Sequence, residues 1–439
     1  MSTNEIISMP QDISDFAKLK ESGCYFVDKT LALKTIIEID LAKVMLFTRP
    51  TGFGKTMFLS MIESFLRIDS ANPGNSSLQQ KLFKGTKILE DRNFCNKYMG
   101  QHPVIYLNFK AFKGDTIEEA YLNLAQIIVN KANEYSFLKD SPFLDKNDKR
   151  DLEKLTDKNY LVRLDDLPWS DVTSSIIDLS RMLYKHFKKQ VYVLIDDYDV
   201  PFAVSKEKGY HDDLVLLISS LYDFFKTTPQ DPTTYRTYVG RIFLTGCLKE
   251  AQSSVSDIIN NIYDNSITDR SCEYTGIIGF TSDDINQLLK DNGLEDLASK
   301  IKENCGGYRF YDKEMYRPKS VINFIEGNNQ SISSRLISSS KSELSDYIRY
   351  LAEHDRQNLN DLIEGKSIRF YLYEYILFTD MSFRKSHCIW SLLLQKGYLT
   401  IDWDKTEYVS GGFNCSIYAK LPNLEMKKFF TDNMKVQPV

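Results

Sequence analysis

Through the first 275 residues, strand-like and helix-like runs alternate, and this alternation limits the fold more than any other feature. "KVMLFT" (43–48), "HPVIYLNF" (102–109), "VYVLIDD" (191–197) and "RIFLTG" (241–246) are short and almost wholly apolar. Between them stand "MFLSMIESFLRI" (57–68), "IEEAYLNLAQIIVNKANEY" (117–135), "IIDLSRMLYKHFKK" (176–189) and "DLVLLISSLYDFFKTT" (213–228). In the first of these, Phe58, Met61, Ile62, Phe65 and Ile68 recur at helical spacing. A strand without polar positions needs cover on both faces. Alternation with helices supplies that cover, so the expected core is a parallel α/β sheet with helices on both sides.

The pattern changes beyond residue 275. "TSDDINQLLKDNG" has Thr281 as N-cap and acids in its first turn, and "PKSVINFIEG" is a second short helix. The polar stretch 327–343 reads as a linker. After it come helical "SELSDYIRYLAEH", strand-like "SIRFYLYEYILF" and "IWSLLLQKGYLTID", a helix running into a strand. The expected division is therefore an α/β domain (1–275), a small helical lid (276–330) and a winged-helix-like α+β module (331–439).

"RPTGFGKT" (49–56) lies between the first strand and the first helix. It matches the end of the phosphate-loop pattern G-x-x-x-x-G-K-[ST], with Arg49 where the first glycine belongs. The tripeptide alone carries little weight. Its strand–loop–helix setting aims backbone N–H groups and the positive helix end at bound phosphate. Lys55 would neutralise phosphate oxygens and Thr56 would offer its hydroxyl to Mg²⁺, with Arg49, Gly52, Phe53 and Gly54 completing the loop. "VYVLIDDYD" places Asp196 at the C-terminal edge of a buried strand, where ligands gather in open α/β sheets. Asp196 is the second expected Mg²⁺ residue, and Asp197 the carboxylate that polarises water. Thr245, closing "RIFLTG", is the expected γ-phosphate sensor. The ligand expected of this P-loop arrangement is ATP with Mg²⁺.

These residues, with "YFVDKT" (25–30), "LFKGTKI" (82–88), "LIDDYDVPF" (194–202), "LTGCLKE" (244–250), "IIGFTSDDINQLL" (277–289) and "GGYRFYDKEMYRPKSVINFIEG" (306–327), resemble the AAA-ATPase-like proteins. The likeness continues in order to "LPNLEMKKFF" (421–430). An Arg-Pro in place of the first glycine is similar to the family's own loop. The resemblance implies a nucleotide-binding ATPase in which another strand separates those carrying Lys55 and Asp196. It also implies an N-terminal segment packed on adenine, here with Phe26, Asp28 and Lys29. Two positions depart from the family pattern. Thr51 and Gly52 stand where two basic residues are usual, and Asp197 where Glu is usual, which favours binding over fast hydrolysis. Many relatives carry a fused nuclease domain, and none is expected within these 439 residues.

The remaining features narrow the function classes. A net charge of −5 argues against broad nucleic-acid binding, and packing in the C-terminal module is the simpler account of the aromatic strand 368–378. Seven scattered cysteines suggest reduced thiols in a cytoplasmic setting, or in a host cytoplasm for a delivered effector. The N-terminus lacks a signal-peptide pattern, and no apolar run nears the ~20 residues of a membrane span. The five histidines show no metal or triad spacing. Arg270, Arg309 and Arg317 are further basic candidates for phosphate. Three readings remain: a nucleotide-dependent switch with a protein partner, a scaffold or effector with weak turnover, and the partner subunit of a separate nuclease.

Overall fold

The structure, a computed structural model, describes residues 8–39, 43–162, 167–222, 237–249, 262–268, 274–327, 341–374, 385–406 and 414–435. β1 (Val44–Thr48), β2 (Val104–Asn108), β3 (Val191–Asp196), β4 (Val239–Gly246) and β5 (Ile262–Asn265) form one sheet in the order β2-β3-β4-β1-β5. Every pairing in it is parallel. β4 therefore lies between β1 and β3, as expected for the strands that carry the loop and the acid pair. β5 escaped the sequence reading. Its "IYDN" is too short and polar to signal a strand, and pairing with β1 decides its conformation.

The side-chain period of two explains the layers. Met45 and Phe47 join one apolar cluster, with Leu194, Phe243 and the Lys55–Leu66 helix. Val44 and Leu46 join the other, with Val193, Ile195, Leu244 and helices Ile117–Glu134, Trp169–Phe187 and His211–Tyr222. Each fully buried Val, Leu, Ile or Phe contributes about 1.5–3 kcal/mol. β1 is buried at all five positions, so the stem of the loop is held firmly.

After the sheet, β6 (Phe280–Thr281), β7 (Tyr308–Phe310) and β8 (Lys313–Tyr316) form a small antiparallel sheet beside helices Ser282–Asn292, Ala298–Cys305 and Pro318–Glu326. The Thr281 side chain accepts the Asp284 N–H, and Asp284 returns a bond to the Thr281 N–H, a reciprocal cap of the expected kind. β9 (Ile368–Tyr373), β10 (Thr400–Ile401) and β11 (Asn414–Lys420) form a third sheet, antiparallel, in the order β10-β11-β9. Helices Lys341–His354, Arg356–Ile363, Lys385–Gln395 and Leu424–Lys435 pack with it. The expected linker at 327–343 lies almost wholly outside the described residues, as do the last four positions, 375–378, of the aromatic strand.

The two C-terminal units are stitched together. Asn423 donates to the Gly306 carbonyl at 2.8 Å, the Arg309 N–H to Thr400 Oγ1 at 2.8 Å, and Trp403 to the Arg309 carbonyl at 3.1 Å. Ile389, Trp390, Leu393, Phe429 and Phe430 belong to the same apolar cluster as Met45 and Phe47. The C-terminal unit thus shares a core with the sheet.

Candidate functional site

At the end of β1, Gly52 and Gly54 take φ of 86° and 95°, the left-handed region that glycine enters without steric cost. The turn they make starts the Lys55–Leu66 helix with Lys55 in its first turn. The Lys55 ammonium is buried and donates to the Arg49 carbonyl at 2.8 Å and the Pro50 carbonyl at 3.4 Å, and meets Cys247 Sγ at 3.2 Å. Burial works against its charge. Cys247, Asp197 and Asp199 outweigh burial and hold its pKa above the ordinary value. Thr56 follows on the same turn, half-buried.

β3 and β4 bring the acids and the polar sensor alongside. Asp196 is fully buried. One of its oxygens accepts from Thr245 Oγ1 at 2.5 Å and the Asp197 N–H at 3.1 Å. The other accepts from Asn108 at 2.9 Å and Tyr106 at 3.3 Å. Asp197 adopts φ of 53°, an uncommon state for a residue with a side chain, and such strain tends to be kept at functional positions. Burial, and next the Asp196 charge, push its pKa up to about 6. Lys55, Thr245, Asp196 and Asp197 are therefore gathered at the C-terminal edges of three strands by residues that lie far apart in sequence.

Other sequence candidates fall elsewhere. The Arg49 guanidinium, 1% exposed, bonds the Asn265 side chain at 2.6 Å and the carbonyls of Thr48, Asn265 and Thr275. It fastens β5 to the loop's stem, and its carbonyl is the atom that meets Lys55. Phe53 packs edge-on to Tyr308 at 5.2 Å and against Phe310 at 5.4 Å, joining the loop to β7. Asp28 accepts from Thr30 and from the Lys87 N–H, which fixes the N-terminal segment. Lys29 bonds Asp284 and the Gly276 carbonyl. Arg309 pairs with Asp404 at 2.9 Å, and Arg270 lies outside the described residues.

Arg317 is different. It is 6% exposed, its side chain lies against Gly52, and its Nε has no hydrogen-bond partner among the described residues. The first turn of its helix reinforces this contact, since the Lys319 N–H donates to the Gly52 carbonyl at 3.2 Å.

Sequence reasoning missed Asp199 and Cys247. Asp199 opens the Val200–Lys208 helix without capping it, and one oxygen instead takes the N–H groups of Cys247 and Leu248, both at 2.9 Å. Its other oxygen is buried with no partner among the described residues. The signal was present as a third acid in "DDYD", but only the fold shows which loop it reaches.

Beside Gly54 and Met57 opens a cavity of about 140 Å³. Phe26, Val27, Phe53, Phe58, Ile278 and Phe280 are among its apolar walls. Its polar side chains are already engaged: Tyr25 donates to Asp291 at 2.6 Å, and Lys29 is paired as above.

A five-stranded parallel sheet flanked by helices, with a glycine loop between β1 and its helix, fits the P-loop class. The family profile described as "Predicted AAA-ATPase" matches residues 10–256, more than half of the chain, and the chain belongs to this AAA-ATPase-like family. No curated protein matches the chain. Among the described residues, no helix is long and apolar enough to cross a membrane.

Proposed function

We propose that the protein is an ATP-binding, Mg²⁺-dependent P-loop ATPase that works as a nucleotide-dependent switch. The observation that carries this reading is the meeting of Lys55 with Asp197 and the Asp196–Thr245 pair at one sheet edge, next to an apolar cavity beside Gly54. Phosphates would lie along the loop N–H groups, where Lys55 exchanges the carbonyls of Arg49 and Pro50 for phosphate oxygens. The base would enter the cavity. Arg317, buried against Gly52 from the lid, would add the positive charge that the loop itself lacks.

The oxygen donors suit Mg²⁺. Three carboxylates (Asp196, Asp197, Asp199) stand near one ammonium, and a hard cation relieves that surplus of negative charge. Mg²⁺ commonly takes only one or two protein ligands and completes its shell with phosphate and water. Thr56 and Asp196 would hold it, and when bound it would neutralise charge developing on the phosphates. Asp197 orients the attacking water. Thr245, bonded to Asp196, keeps that carboxylate in one rotamer.

Calorimetry with ATP·Mg²⁺ on wild type and Lys55→Ala tests the reading. Wild type is expected to bind and the variant to lose at least about tenfold in affinity, the worth of one charge-assisted bond. Equal affinities, or none for either, would refute it. The second reading, a scaffold with weak turnover, draws on the aspartate at 197 and predicts binding without measurable hydrolysis. The winged-helix-like assignment of the C-terminal unit draws on its helix–strand order and on the placing of β11 between β9 and β10.

A further inference from the structure

Among the described residues, the loop after β4 is held by three consecutive backbone N–H groups. Asp199 takes those of Cys247 and Leu248 from the β3 side. The third, on Lys249, donates to Gln395 Oε1 at 3.0 Å, and Gln395 is the last residue of the Lys385–Gln395 helix in the C-terminal unit. Gln395 is 4% exposed, and its amide nitrogen is anchored in turn by the carbonyls of Glu374 at 3.0 Å and Tyr373 at 3.3 Å. These two bonds and its burial hold the side chain in place.

The surroundings show what this grip controls. Within the same loop, Cys247 Sγ meets Lys55, and Thr245, just before it, bonds Asp196. Leu248 packs on Leu392, one turn before Gln395. Two residues after Gln395, Gly397 (φ 79°) lies so close to Pro50 of the phosphate loop that a Cβ there would come within 2.5 Å of the proline side chain. The end of one buried helix thus touches the phosphate loop and the sensor loop together.

We propose that Gln395 is a positioning residue of the nucleotide site. From the C-terminal unit it holds the 247–249 loop, which keeps Cys247 at Lys55 and the end of β4, where Thr245 meets Asp196, in place. The loops of the phosphate site are thus held partly from outside the sheet domain, and a shift of the C-terminal unit changes the site through this hydrogen bond together with the Leu248–Leu392 and Gly397–Pro50 contacts and the Lys249–Glu374 ion pair. This inference rests on the nucleotide reading above only for its catalytic consequence.

Gln395→Met keeps the volume and removes both the acceptor and the donor, and Gln395→Asn keeps the amide but is one methylene too short. In each, kcat for ATP is expected to fall roughly ten- to a hundredfold, the scale of a small misplacement of reacting groups, with KM within about threefold of wild type. Hydrogen exchange at the amides of 247–249 and alkylation of Cys247 by N-ethylmaleimide, located by mass spectrometry, are both expected to quicken. Unchanged kcat and unchanged exchange in a folded variant would overturn the proposal. A parallel loss of kcat, melting temperature and protection throughout the chain would also overturn it, because that pattern marks a merely structural residue. If Gln395→Met does not fold, Gln395→Asn carries the same readouts. Should the wild type neither bind nor cleave ATP, the nucleotide reading falls, while exchange and alkylation still decide whether Gln395 holds the loop.

Discussion

Asp197 shows why a substitution has to be judged on its backbone as well as its chemistry. Asn tolerates a φ of 53° about as well as Asp does, so Asp197→Asn removes the charge with little backbone change. It is expected to bind ATP like wild type while single-turnover hydrolysis falls about a hundredfold, or about 3 kcal/mol in barrier. Length alone suggests that Asp197→Glu, the family's usual residue, speeds turnover. Glu is less suited to this conformation, so its gain in rate is expected together with a lower melting temperature. A second residue-level test lies far from the site. His102 Nδ1–H donates to the Gln190 carbonyl at 3.0 Å, and burial lowers its pKa to about 4. A histidine whose folded pKa lies below its unfolded value contributes stability that is present above about pH 6.5 and lost as pH falls toward 4. Urea unfolding at pH 7.5 and 5 is expected to show a loss of up to about 2 kcal/mol from this group. His102→Phe, which keeps the ring contacts with Tyr98 and Tyr192, should flatten that part of the dependence.

At the scale of elements, the loops that end β1, β3 and β4 fit each other by close contact. Gly246 closes β4, and a Cβ there would sit 2.6 Å from Asp199 Oδ1 and 2.7 Å from the Tyr198 ring. Gly246→Ala is therefore expected to cost about 1–3 kcal/mol of stability by overpacking, read in denaturant melts. Turnover should fall with it, because the displaced carboxylate is the one that holds Cys247 and Leu248. The cavity beside Gly54 belongs to this scale too, since the N-terminal segment, the loop and β6 build it jointly. The lining is mostly apolar, and guanine brings a ring N–H besides an exocyclic amine where adenine brings only the amine, so guanine would leave more buried polar groups unpaired. GTP is expected to bind at least about tenfold more weakly than ATP in competition calorimetry, the cost of a buried donor left unsatisfied.

For the whole molecule, the shared core sets what can be cut. A chain ending at residue 327 would strip Trp390, Leu393, Phe429 and Phe430 from a cluster that includes Met45 and Phe47. At about 1.5–3 kcal/mol per large apolar side chain, the lost burial is comparable to the whole margin by which most domains are stable. The truncated protein is expected to be insoluble or to bind apolar dyes, and a soluble, cooperatively melting fragment would contradict the shared-core argument. The N-terminal segment adds ties to the Pro318–Glu326 helix: the Met9 N–H bonds Glu326 at 2.9 Å and Asp12 pairs with Lys319 at 3.3 Å.

The sequence by itself determined the elements whose cause is local. Apolar runs that need cover on both faces fixed β1 to β4 and the parallel sheet. The Gly54-Lys55-Thr56 turn marked where a strand passes into a helix, and Thr281 with Asp284 marked a helix start. Asp196 and Thr245 could be picked out because each closes an apolar strand. Only the tertiary structure decided contacts between residues with no regular spacing. Arg49 reads as a phosphate ligand in the chain, yet its guanidinium bonds Asn265 on a strand too short and polar to foresee. Asp199 is placed to cap its own helix but reaches the loop after β4, and Gln395 meets that loop from 146 residues away. Such partners are chosen by packing, because a buried polar group must find whatever acceptor or donor the fold brings within reach.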